Sequence, residues 1–585
     1  MTLKNILISC VYKVFSDVTT IICYGYCGCG NFLIVAYREL RLLELDVIEG
    51  IHAKGQLLDV STIVRCNVSQ FHGIEIEDFP SQIARVAMWL IDHQMNMLVS
   101  EHYGTHFARI PLRSVADIQN ADALSVLWPT VDYIFGNPPF VGAKWMNAEQ
   151  RQSFSKIAKD IPNSGILDFV SAWHIKATKY MKEHPHVETA FVSTNSITQG
   201  EQVAALWNWV FAQNIHINFA HRTFHWQSAA KGKAAVHCVI IGFSNKIHNA
   251  KYIFDYENGK GIPNKLEAKN INGYLVDAPS LAISSRSKPI SDVPVMVSGN
   301  KPIDGGFYFF DSIEKQQFIA QEPLAEKYFK RWLGGEEFIN NTVRYFLHLE
   351  NVLPNDLKKM PQALQIVEKV KQYRKASFSV PTQKLADFPT KFHTSFYSEK
   401  NYLAMAQVSS ERRYYMPIAF LDNSVLCGDK LRLVANADLF HFGVLTSVMH
   451  MAWMRTVTGR LKSDYQYSVK IVYNNFPWPL NITDKQKKTI EDAAQAVLDA
   501  RTKYPDNSLA DLYDPLLTPI DLLKAHQTLD KAVDAAYSRK KFNSEAERVA
   551  FLFELYEQYI EAEKADQKKE VKTKKLKATK ETVES

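Results

Sequence analysis

Residues 131–140 of this 585-residue chain have the sequence VDYIFGNPPF. The segment at 131–135 is a short, mostly apolar run, which is typical of a buried strand in a parallel sheet. The tetrapeptide at 137–140 follows at once, where a loop must leave the carboxyl end of that strand. Loops at the carboxyl ends of parallel strands bear the ligand-binding groups of open α/β sheets, so this stretch predicts both a fold class and a site.

The tetrapeptide itself has a definite hydrogen-bonding character. Pro138 and Pro139 stiffen the turn, so the side-chain amide of Asn137 and the carbonyl of Pro138 form two fixed acceptors. Phe140 adds a flat apolar face. Two acceptors beside a stacking surface fit a planar group that bears NH2, such as the exocyclic amine of adenine or the carboxamide of glutamine. A proline turn capped by asparagine would also explain the tetrapeptide alone, so its meaning depends on the rest of the sheet.

The chain from residue 18 to about residue 244 alternates β-rich runs with helical periodicities. This alternation predicts an α/β domain whose mainly parallel sheet is covered by helices. Predicted strands occupy residues 18–22, 69–76, 131–135, 187–192, 215–221 and 234–243, and predicted helices include residues 79–97 and 166–181.

Three further segments of this predicted sheet have ligand-binding character. Gly28 and Gly30, in CGCGNF at residues 27–32, lie between a strand and a helix, where glycine lets a ligand approach free helix N–H groups. Glu75 ends the next strand, where its carboxylate can accept hydrogen bonds from hydroxyl groups. Asp122 lies in a polar stretch, NADAL, before the strand that leads to the tetrapeptide. All four segments occur in one order on one predicted sheet.

Composition places the chain among soluble globular proteins, with 46% hydrophobic residues, 22% charged residues and a formal net charge of +6. The length suggests about three domains. Seven cysteines, odd in number and unevenly spread, argue against a disulfide framework and for a reducing, cytoplasmic location. Cys27 and Cys29 lack a second pair at metal-binding spacing, so no metal site is expected. The apolar run near the N-terminus is too short to cross a membrane.

The pattern changes beyond residues 1–250, the predicted α/β domain. Residues 251–482 carry Gly, Pro, Asn and aromatic residues in short irregular elements and predict a separate domain of mixed α+β character. Residues 483–562 have helical periodicity and predict a helical domain. Residues 563–585 are rich in Lys and Glu and lack aromatic residues, which predicts a disordered or frayed helical tail.

In their order, these segments resemble those of the class I S-adenosylmethionine-dependent DNA adenine-N6 methyltransferases of the gamma arrangement. The resemblance implies a Rossmann-like class I sheet with helices on both faces, then a target-recognition domain and a helical C-terminal region. It narrows to MmeI-like Type IIL restriction-modification proteins and covers nearly the whole chain. The segments that carry it include STNSITQGEQV at residues 193–203, AHRTFHW at 220–226, SSERR at 409–413, GRLKSDYQY at 459–467 and VYNNFPWP at 472–479.

The resemblance also implies a cofactor, S-adenosylmethionine, and a partner, double-stranded DNA. The implied reaction is methylation of N6 of a flipped-out adenine, within a restriction-modification or related system. The residues implied to hold the target adenine are Asn137, Pro138, Pro139 and Phe140. Those implied to hold the cofactor are Cys27, Gly28, Gly30, Asn31 and Phe32 at its methionine part, Glu75 at its ribose and Asp122 at its adenine.

The second half of the chain has features of a DNA-binding surface on its own terms. Basic residues lie among tyrosines and tryptophans, so cations can neutralise phosphates while polar and aromatic groups contact bases. Solvated helix faces around an aromatic core explain any single residue equally well. The candidate DNA contacts are Arg374, Arg412, Arg413, Arg460 and Lys462.

Two features depart from the family pattern. Tyr24-Gly25-Tyr26 stands where the family has an Asp-Pro-Ala-type segment, and only about 17 residues precede the first predicted strand. So short a segment leaves open whether a separate N-terminal or nuclease subunit completes the enzyme. Two alternatives remain: a truncated or decayed methyltransferase that binds DNA without catalysis, and a methyltransferase of protein glutamine side chains. The long basic second half disfavours the second alternative, because those enzymes are short.

Overall fold

The computed structural model describes residues 21–23, 28–51, 64–104, 116–226, 236–256 and 259–581. The chain divides into two compact units, Met1–Ala282 and Ile283–Ser585, which are considered separately below. The first compact unit extends beyond residue 250, the boundary predicted from the sequence. Two short strands beyond residue 250 join the first sheet.

A nine-stranded sheet forms the centre of the first unit. Its strands are β1 (Ile21–Cys23), β2 (Phe71–Glu75), β3 (Asp117–Asn120), β4 (Tyr133–Gly136), β5 (Glu188–Thr194), β6 (His216–Trp226), β7 (Val236–Ser244), β8 (Lys251–Asp255) and β9 (Asn264–Ala268). Their order is β3-β2-β1-β4-β5-β7-β6-β8-β9. Strands β1 to β5 are parallel, whereas β7 runs antiparallel to both β5 and β6. The predicted Rossmann-like sheet is confirmed.

Helices cover both faces of this sheet, as the resemblance implied. They are α1 (Asn31–Ile51), α2 (Asp78–Tyr103), α3 (Ala148–Ile157), α4 (Ser171–Glu183) and α5 (Gly200–Phe211). An apolar stripe on α1 packs with α2 against Phe135 of β4. Phe191 of β5 instead contacts His174 of α4, with ring centroids 5.2 Å apart. Phe135 pairs with Ala190, the neighbour of Phe191, so the two aromatic rings lie on opposite faces.

A buried polar network joins α1 to α2. The hydroxyl of Tyr37 donates to the Asp92 carboxylate at 2.5 Å, and Arg41 donates to the Asn96 side chain at 3.2 Å. Burial raises the pKa of Tyr37, which keeps its hydroxyl protonated as a donor. Because each buried polar group needs its partner, the network fixes the two helices to one another. These helices begin at the turns after β1 and β2, so their alignment also fixes those turns.

The second unit has mixed α+β structure, as predicted. Its described strands are β10 (Met296–Ser298), β11 (Phe309–Phe310), β12 (Phe329–Leu333), β13 (Arg344–Leu347), β14 (Tyr402–Ala406), β15 (Val408–Ser409), β16 (Ile418–Leu421), β17 (Leu426–Cys427), β18 (Leu431–Val434), β19 (Gly459–Leu461) and β20 (Asp464–Gln466). They form sheets of order β10-β18-β14-β16, β11-β13-β12-β17 and β15-β20-β19.

The helices of the second unit are mostly short until its C-terminal region. The described ones are α6 (Ser312–Gln321), α7 (Gly335–Asn340), α8 (Pro354–Lys358), α9 (Pro361–Lys375), α10 (Val380–Leu385), α11 (Leu439–Leu445), α12 (Val448–Val457), α13 (Asp484–Thr502), α14 (Leu509–Leu512), α15 (Ile520–Tyr537) and α16 (Glu545–Glu581). In the described part of the chain, no helix carries an apolar run that could cross a membrane.

The C-terminal helices pack against the preceding part of the second unit. The Trp453 ring of α12 lies 5.4 Å from Phe553 and 5.8 Å from Tyr556, both on α16. Asp530 of α15 accepts a hydrogen bond from the Val448 N–H at 2.9 Å. Segments on either side of the predicted boundary between residues 482 and 483 thus contact each other within the second unit.

The charged tail is helical over most of its length. Helix α16 continues to Glu581, although residues 563–585 were expected to be disordered or frayed. No Gly or Pro interrupts the sequence between Glu545 and Glu581, and Ala, Glu and Lys are strong helix formers. Glu563 is also held by an ion pair, with Arg286 donating to its carboxylate at 2.9 Å.

Arg374 is a structural residue of α9. Its side chain is only 1% exposed. The guanidinium donates to the backbone carbonyls of Pro302, Ile303, Leu385, Phe388 and Lys391 at 2.7–3.1 Å. This geometry contradicts the predicted role of Arg374 as a DNA contact, because its donors are all committed to loops of its own unit. The spacing of the Lys and Arg residues along α9 could not show which of their side chains is buried.

Replacement of Arg374 by Met should destabilise the protein. The apolar side chain would leave five carbonyl oxygens without their donor, and we expect the free energy of unfolding to fall by at least about 3 kcal/mol. Urea denaturation followed by circular dichroism measures the change. Lys375→Met on the exposed side of the same helix is the matched control and should change stability by less than about 0.5 kcal/mol. Equal stability of the two variants would contradict the structural role.

Candidate active site

The four segments singled out in the sequence meet at one edge of the first sheet. Strands β2, β1 and β4 are adjacent and parallel, and β3 flanks β2. Their carboxyl ends therefore lie side by side. The turn containing Gly28 follows β1, Glu75 ends β2, Asp122 follows β3 and Asn137 follows β4. The site is built from loops that the sheet itself brings together.

Glu75 connects two of these loops. Its buried carboxylate accepts hydrogen bonds from the backbone N–H of Gly28 at 2.8 Å and from that of Glu77 at 3.0 Å. One oxygen is therefore used for each loop. A carboxylate has about four lone-pair sites, so further hydroxyl donors can still be bound.

The glycine-rich turn needs glycine for two different reasons. Gly28 has a positive φ of +52°, and Gly30 one of +83°, in the left-handed region that glycine adopts without strain. A Cβ on Gly30 would also lie 3.1 Å from the Cβ of Ala84 on α2. Asn31 is exposed at the start of α1, whereas Phe32 packs partly against the core. Cys27 and Tyr24-Gly25-Tyr26 lie outside the described residues.

The loop after β3 is tied to the end of β2. Asn120 donates from its side-chain amide to the carbonyls of Glu75 at 3.1 Å and Ile76 at 3.0 Å. The Asp122 carboxylate accepts from the Leu124 N–H at 2.9 Å and from the Ser125 hydroxyl at 2.6 Å. Asp122 thus shapes its own turn while it remains half-exposed beside Glu75.

Lys176 of α4 holds the loop that contains Asp122, a role that the sequence did not suggest. Its ammonium group donates to the carbonyls of Ala123, Leu124 and Val126 at 2.5–3.1 Å. It also lies 4.9 Å from the centre of the Trp128 ring. Burial lowers the pKa of Lys176 to about 8, and the Asp122 carboxylate opposes the shift. All three N–H donors of Lys176 therefore bind backbone carbonyls of this loop.

Among the predicted site residues that the structure describes, Asn137 is the one with a buried acceptor that lacks a hydrogen-bond donor. Its Oδ1 is buried and accepts no hydrogen bond from the part of the chain that the structure describes. Pro138 is buried behind it, and Phe140 is half-exposed. An unsatisfied buried acceptor costs about 1–3 kcal/mol, which a hydrogen-bond donor on a bound ligand would offset.

Asp168 fixes the loop that follows the tetrapeptide. Its carboxylate accepts from the backbone N–H of Ala143 at 2.9 Å and from the hydroxyl of Ser196 at 2.5 Å. The Phe169 N–H donates to the carbonyl of Val141 at 2.9 Å. These bonds join the loops after β4 and β5. The sequence analysis missed Asp168 because it lies in no conspicuous motif and acts from the start of α4.

Two exposed apolar side chains follow Glu75 in the chain. Ile76 and Phe79 are large hydrophobic residues that remain exposed at the end of β2 and the start of α2. A flat, partly apolar ligand group would cover them. Sequence inspection overlooked them because alternation with acidic residues is equally typical of a strand end.

A cavity of about 290 Å³ lies elsewhere on the sheet, and its lining includes neither Asn137 nor Glu75. Phe135, Ala190, Phe219, His221 and Phe254 are among its walls. His221 stacks on Phe254 at 4.2 Å, and burial lowers its pKa to about 3, so its imidazole is neutral at physiological pH. His221 is therefore not a proton donor within this cavity.

In the second unit, the remaining basic candidates gather around the hairpin of β19 and β20. Arg412 and Lys462 are exposed, and Lys462 has a positive φ of +59° at the hairpin turn. Arg460 pairs with the Glu411 carboxylate at 3.2 Å and lies 4.4 Å over the Tyr465 ring. Arg413 is half-buried, and burial lowers its pKa. Arg412 and Lys462 are thus the most accessible cations of the set.

Comparison with known protein families gives three matches in succession along the chain. Residues 18–255 match the family described as "MmeI, DNA-methyltransferase domain". Residues 277–480 match "MmeI, target recognition domain", and residues 482–562 match "MmeI, C-terminal domain".

Two individual relatives are similar over most of the chain. DNA methyltransferase A of Bacillus subtilis (strain 168) is 38% identical over 548 residues, which is 92% of this chain and 61% of that protein. This chain thus spans less than two thirds of that curated relative. The structure of the Type IIL restriction-modification enzyme MmeI in complex with DNA is 47% identical, with a TM-score of 0.80, and the match covers 95% of this chain and 75% of that one. The chain therefore belongs to the MmeI family and contains its DNA-methyltransferase, target recognition and C-terminal domains.

Proposed function

We propose that this chain is a site-specific DNA methyltransferase that uses S-adenosylmethionine to methylate N6 of an adenine in double-stranded DNA. The proposal rests on the buried Oδ1 of Asn137, because this acceptor has no hydrogen-bond donor among the described residues and can accept from an amine. It follows β4, directly beside β1 and its glycine-rich turn. Membership of the MmeI family supports DNA as partner and a role in a restriction-modification system. A separate nuclease or N-terminal subunit stays a prediction.

The loops after β1, β2 and β3 fit S-adenosylmethionine. This cofactor, when bound, supplies an electrophilic methyl group. Glu75 keeps lone pairs for ribose hydroxyls, and exposed Ile76 and Phe79 offer apolar surface to a flat base. Asp122 can accept from an amine at the same edge. The positive φ of Gly28 keeps the turn free of a side chain, and a Cβ there would meet open space.

The loop after β4 fits the amine of a flipped adenine. Asn137 Oδ1 and the Pro138 carbonyl would accept from the two N–H bonds of the amine, while Phe140 stacks on the ring. These contacts offset the few kcal/mol that removing a base from the duplex costs. Both acceptors are neutral, so they orient the amine and do not deprotonate it. The proton released after methyl transfer leaves to solvent.

Asn137→Ala should abolish most methyl transfer without affecting cofactor binding. Loss of one aimed hydrogen-bonding group at a reacting centre typically lowers the rate by about 100-fold or more. Tritium transfer from labelled S-adenosylmethionine to plasmid DNA measures the rate, and mass spectrometry of the digested DNA identifies the methylated base. Equilibrium dialysis with the same cofactor tests binding separately.

Three results would contradict the proposal. They are DNA binding by the wild-type chain with no cofactor uptake, methylation of a base other than adenine, and an unchanged rate in Asn137→Ala. A thermal melt of the variant is the folding control, since Oδ1 has no partner to lose among the described residues.

Lys176→Met should weaken cofactor binding through the Asp122 loop. Three carbonyls would lose their donor, and we expect the cofactor dissociation constant to rise about fivefold. The ratio of the variant to the wild-type constant should fall as the pH rises through about 8, because wild-type Lys176 then loses a proton and one donor. Ionisation of the cofactor affects both proteins equally and cancels in this ratio.

Lys179→Met is the matched control for this measurement. Lys179 lies on the same helix and donates to the carbonyl of Ile157, at the end of α3, at 2.8 Å. Its replacement should leave the cofactor dissociation constant unchanged at every pH. A pH-independent ratio for Lys176→Met would exclude the positioning role.

Arg412→Ala and Lys462→Ala should each weaken binding to duplex DNA at low salt. An exposed cation that neutralises one phosphate contributes about one unit to the slope of log affinity against log salt concentration. Fluorescence anisotropy of a labelled duplex over a salt series measures that slope. Lys540→Ala removes an equally exposed charge outside the hairpin and should not change it. An unchanged slope in both Arg412→Ala and Lys462→Ala would show that these two residues do not contact DNA.

A further inference from the structure

Trp145 has an unusual position for a large apolar side chain. Its indole is 83% exposed, although single exposed hydrophobic residues on a surface need no explanation in general. Its location gives the exposure meaning, because it lies five residues after Phe140 in the loop that leaves β4. Five residues span at most about 18 Å, and the hydrogen bond from the Trp145 N–H to the Gly142 carbonyl at 2.8 Å shortens this path, so Trp145 lies on the same short loop as the candidate adenine site.

The turn beneath Trp145 is held firmly. The Trp145 N–H donates to the Gly142 carbonyl at 2.8 Å, and the Ala143 N–H donates to Asp168 at 2.9 Å. Arg151 donates to the Ala143 carbonyl at 3.1 Å. The next residue, Met146, is buried. The indole therefore projects from a fixed base, which is the arrangement that a rigid contact requires.

Other exposed apolar residues at this edge belong to the cofactor side. Phe79 follows β2, and Leu127, which is 93% exposed, follows β3. Trp145 follows β4, which lies on the opposite side of β1 from those two strands. The sheet order therefore places Trp145 with the tetrapeptide and not with the residues around Glu75.

We propose that Trp145 stacks within the DNA duplex at the gap left by the flipped adenine. This inference rests on the proposed methylation of adenine. When a base leaves the duplex, its neighbours lose a stacking partner, and a flat aromatic side chain can replace it. Exposed Lys144, next to Trp145, is placed to meet a phosphate at the same point. The indole thereby favours the flipped state before the amine reaches Asn137.

The test compares duplexes that differ only opposite the target adenine. The recognition sequence is first mapped by sequencing N6-methyladenine in DNA from an expressing host. Single-turnover methylation is then measured on a duplex with thymine opposite the target and on one with an abasic site there. We expect Trp145→Ala to slow methylation of the paired duplex about tenfold and that of the abasic duplex far less, because flipping is already easy there.

Two further variants sharpen the comparison. Trp145→Phe retains a flat ring and should restore most of the rate on the paired duplex. Trp89→Ala removes another exposed indole, from α2, and should leave both rates unchanged. With 2-aminopurine at the target position, the fluorescence increase on binding should be smaller for Trp145→Ala than for the wild type.

The outcomes separate this inference from the proposed function. Equal slowing of Trp145→Ala on both duplexes, or no slowing on either, overturns the stacking role while adenine methylation stands. Wild-type protein that methylates adenine in neither duplex nor in the host overturns the proposed function and the stacking role with it.

Discussion

The two hydrogen bonds that Glu75 accepts hold the candidate site together. They join the turn after β1, through the N–H of Gly28, to the turn after β2, through the N–H of Glu77. A buried carboxylate loses several kcal/mol of hydration, and these backbone donors offset part of that loss. Displacement of either turn would leave one carboxylate oxygen without its donor, so each loop depends on the other. The same carboxylate still has lone pairs for ligand hydroxyls, which means that one residue both builds the site and remains able to bind.

In the other loops of the site, the polar side chains named above have hydrogen-bond partners, with one exception. Asp122 is hydrogen-bonded within its own turn, and Asp168 and Lys176 bond to groups of neighbouring loops, so their geometry is fixed without a ligand. Asn137 differs, because its buried Oδ1 has no donor among the described residues. Preorganised surroundings and one open acceptor are what orientation of a neutral amine requires, since little reorganisation is left for the moment of binding. The energetic cost of the open acceptor is local, while the bonds that hold it in place are spread over several loops.

Sequence patterns predicted the parts of this architecture that arise from local chemistry. The order of strands and helices in the first unit, the glycines at the first turn and the tetrapeptide at 137–140 all follow from periodicity and turn chemistry. The roles of Lys176 and Arg374 did not, because a long basic side chain has the same sequence signature whether it meets water, a phosphate or a ring of carbonyls. Strands β8 and β9 lie beyond the boundary predicted at residue 250 for a related reason: they are short, and their membership of a sheet depends on partners elsewhere in the chain.

Charge is distributed so that binding and chemistry depend on different physical effects. Lys176 of α4, which holds the Asp122 loop, is engaged by three carbonyls, and the groups offered to a target base are an amide, a carbonyl and an aromatic ring. An adenine amine is neutral and needs orientation more than a counter-charge. A duplex has the opposite requirement, which exposed Arg412 and Lys462 of the second unit can meet. Exposed charges are screened by salt, whereas buried hydrogen bonds are screened much less. Ionic strength should therefore govern how often DNA is held, and the geometry at Asn137 should govern what happens once a base arrives.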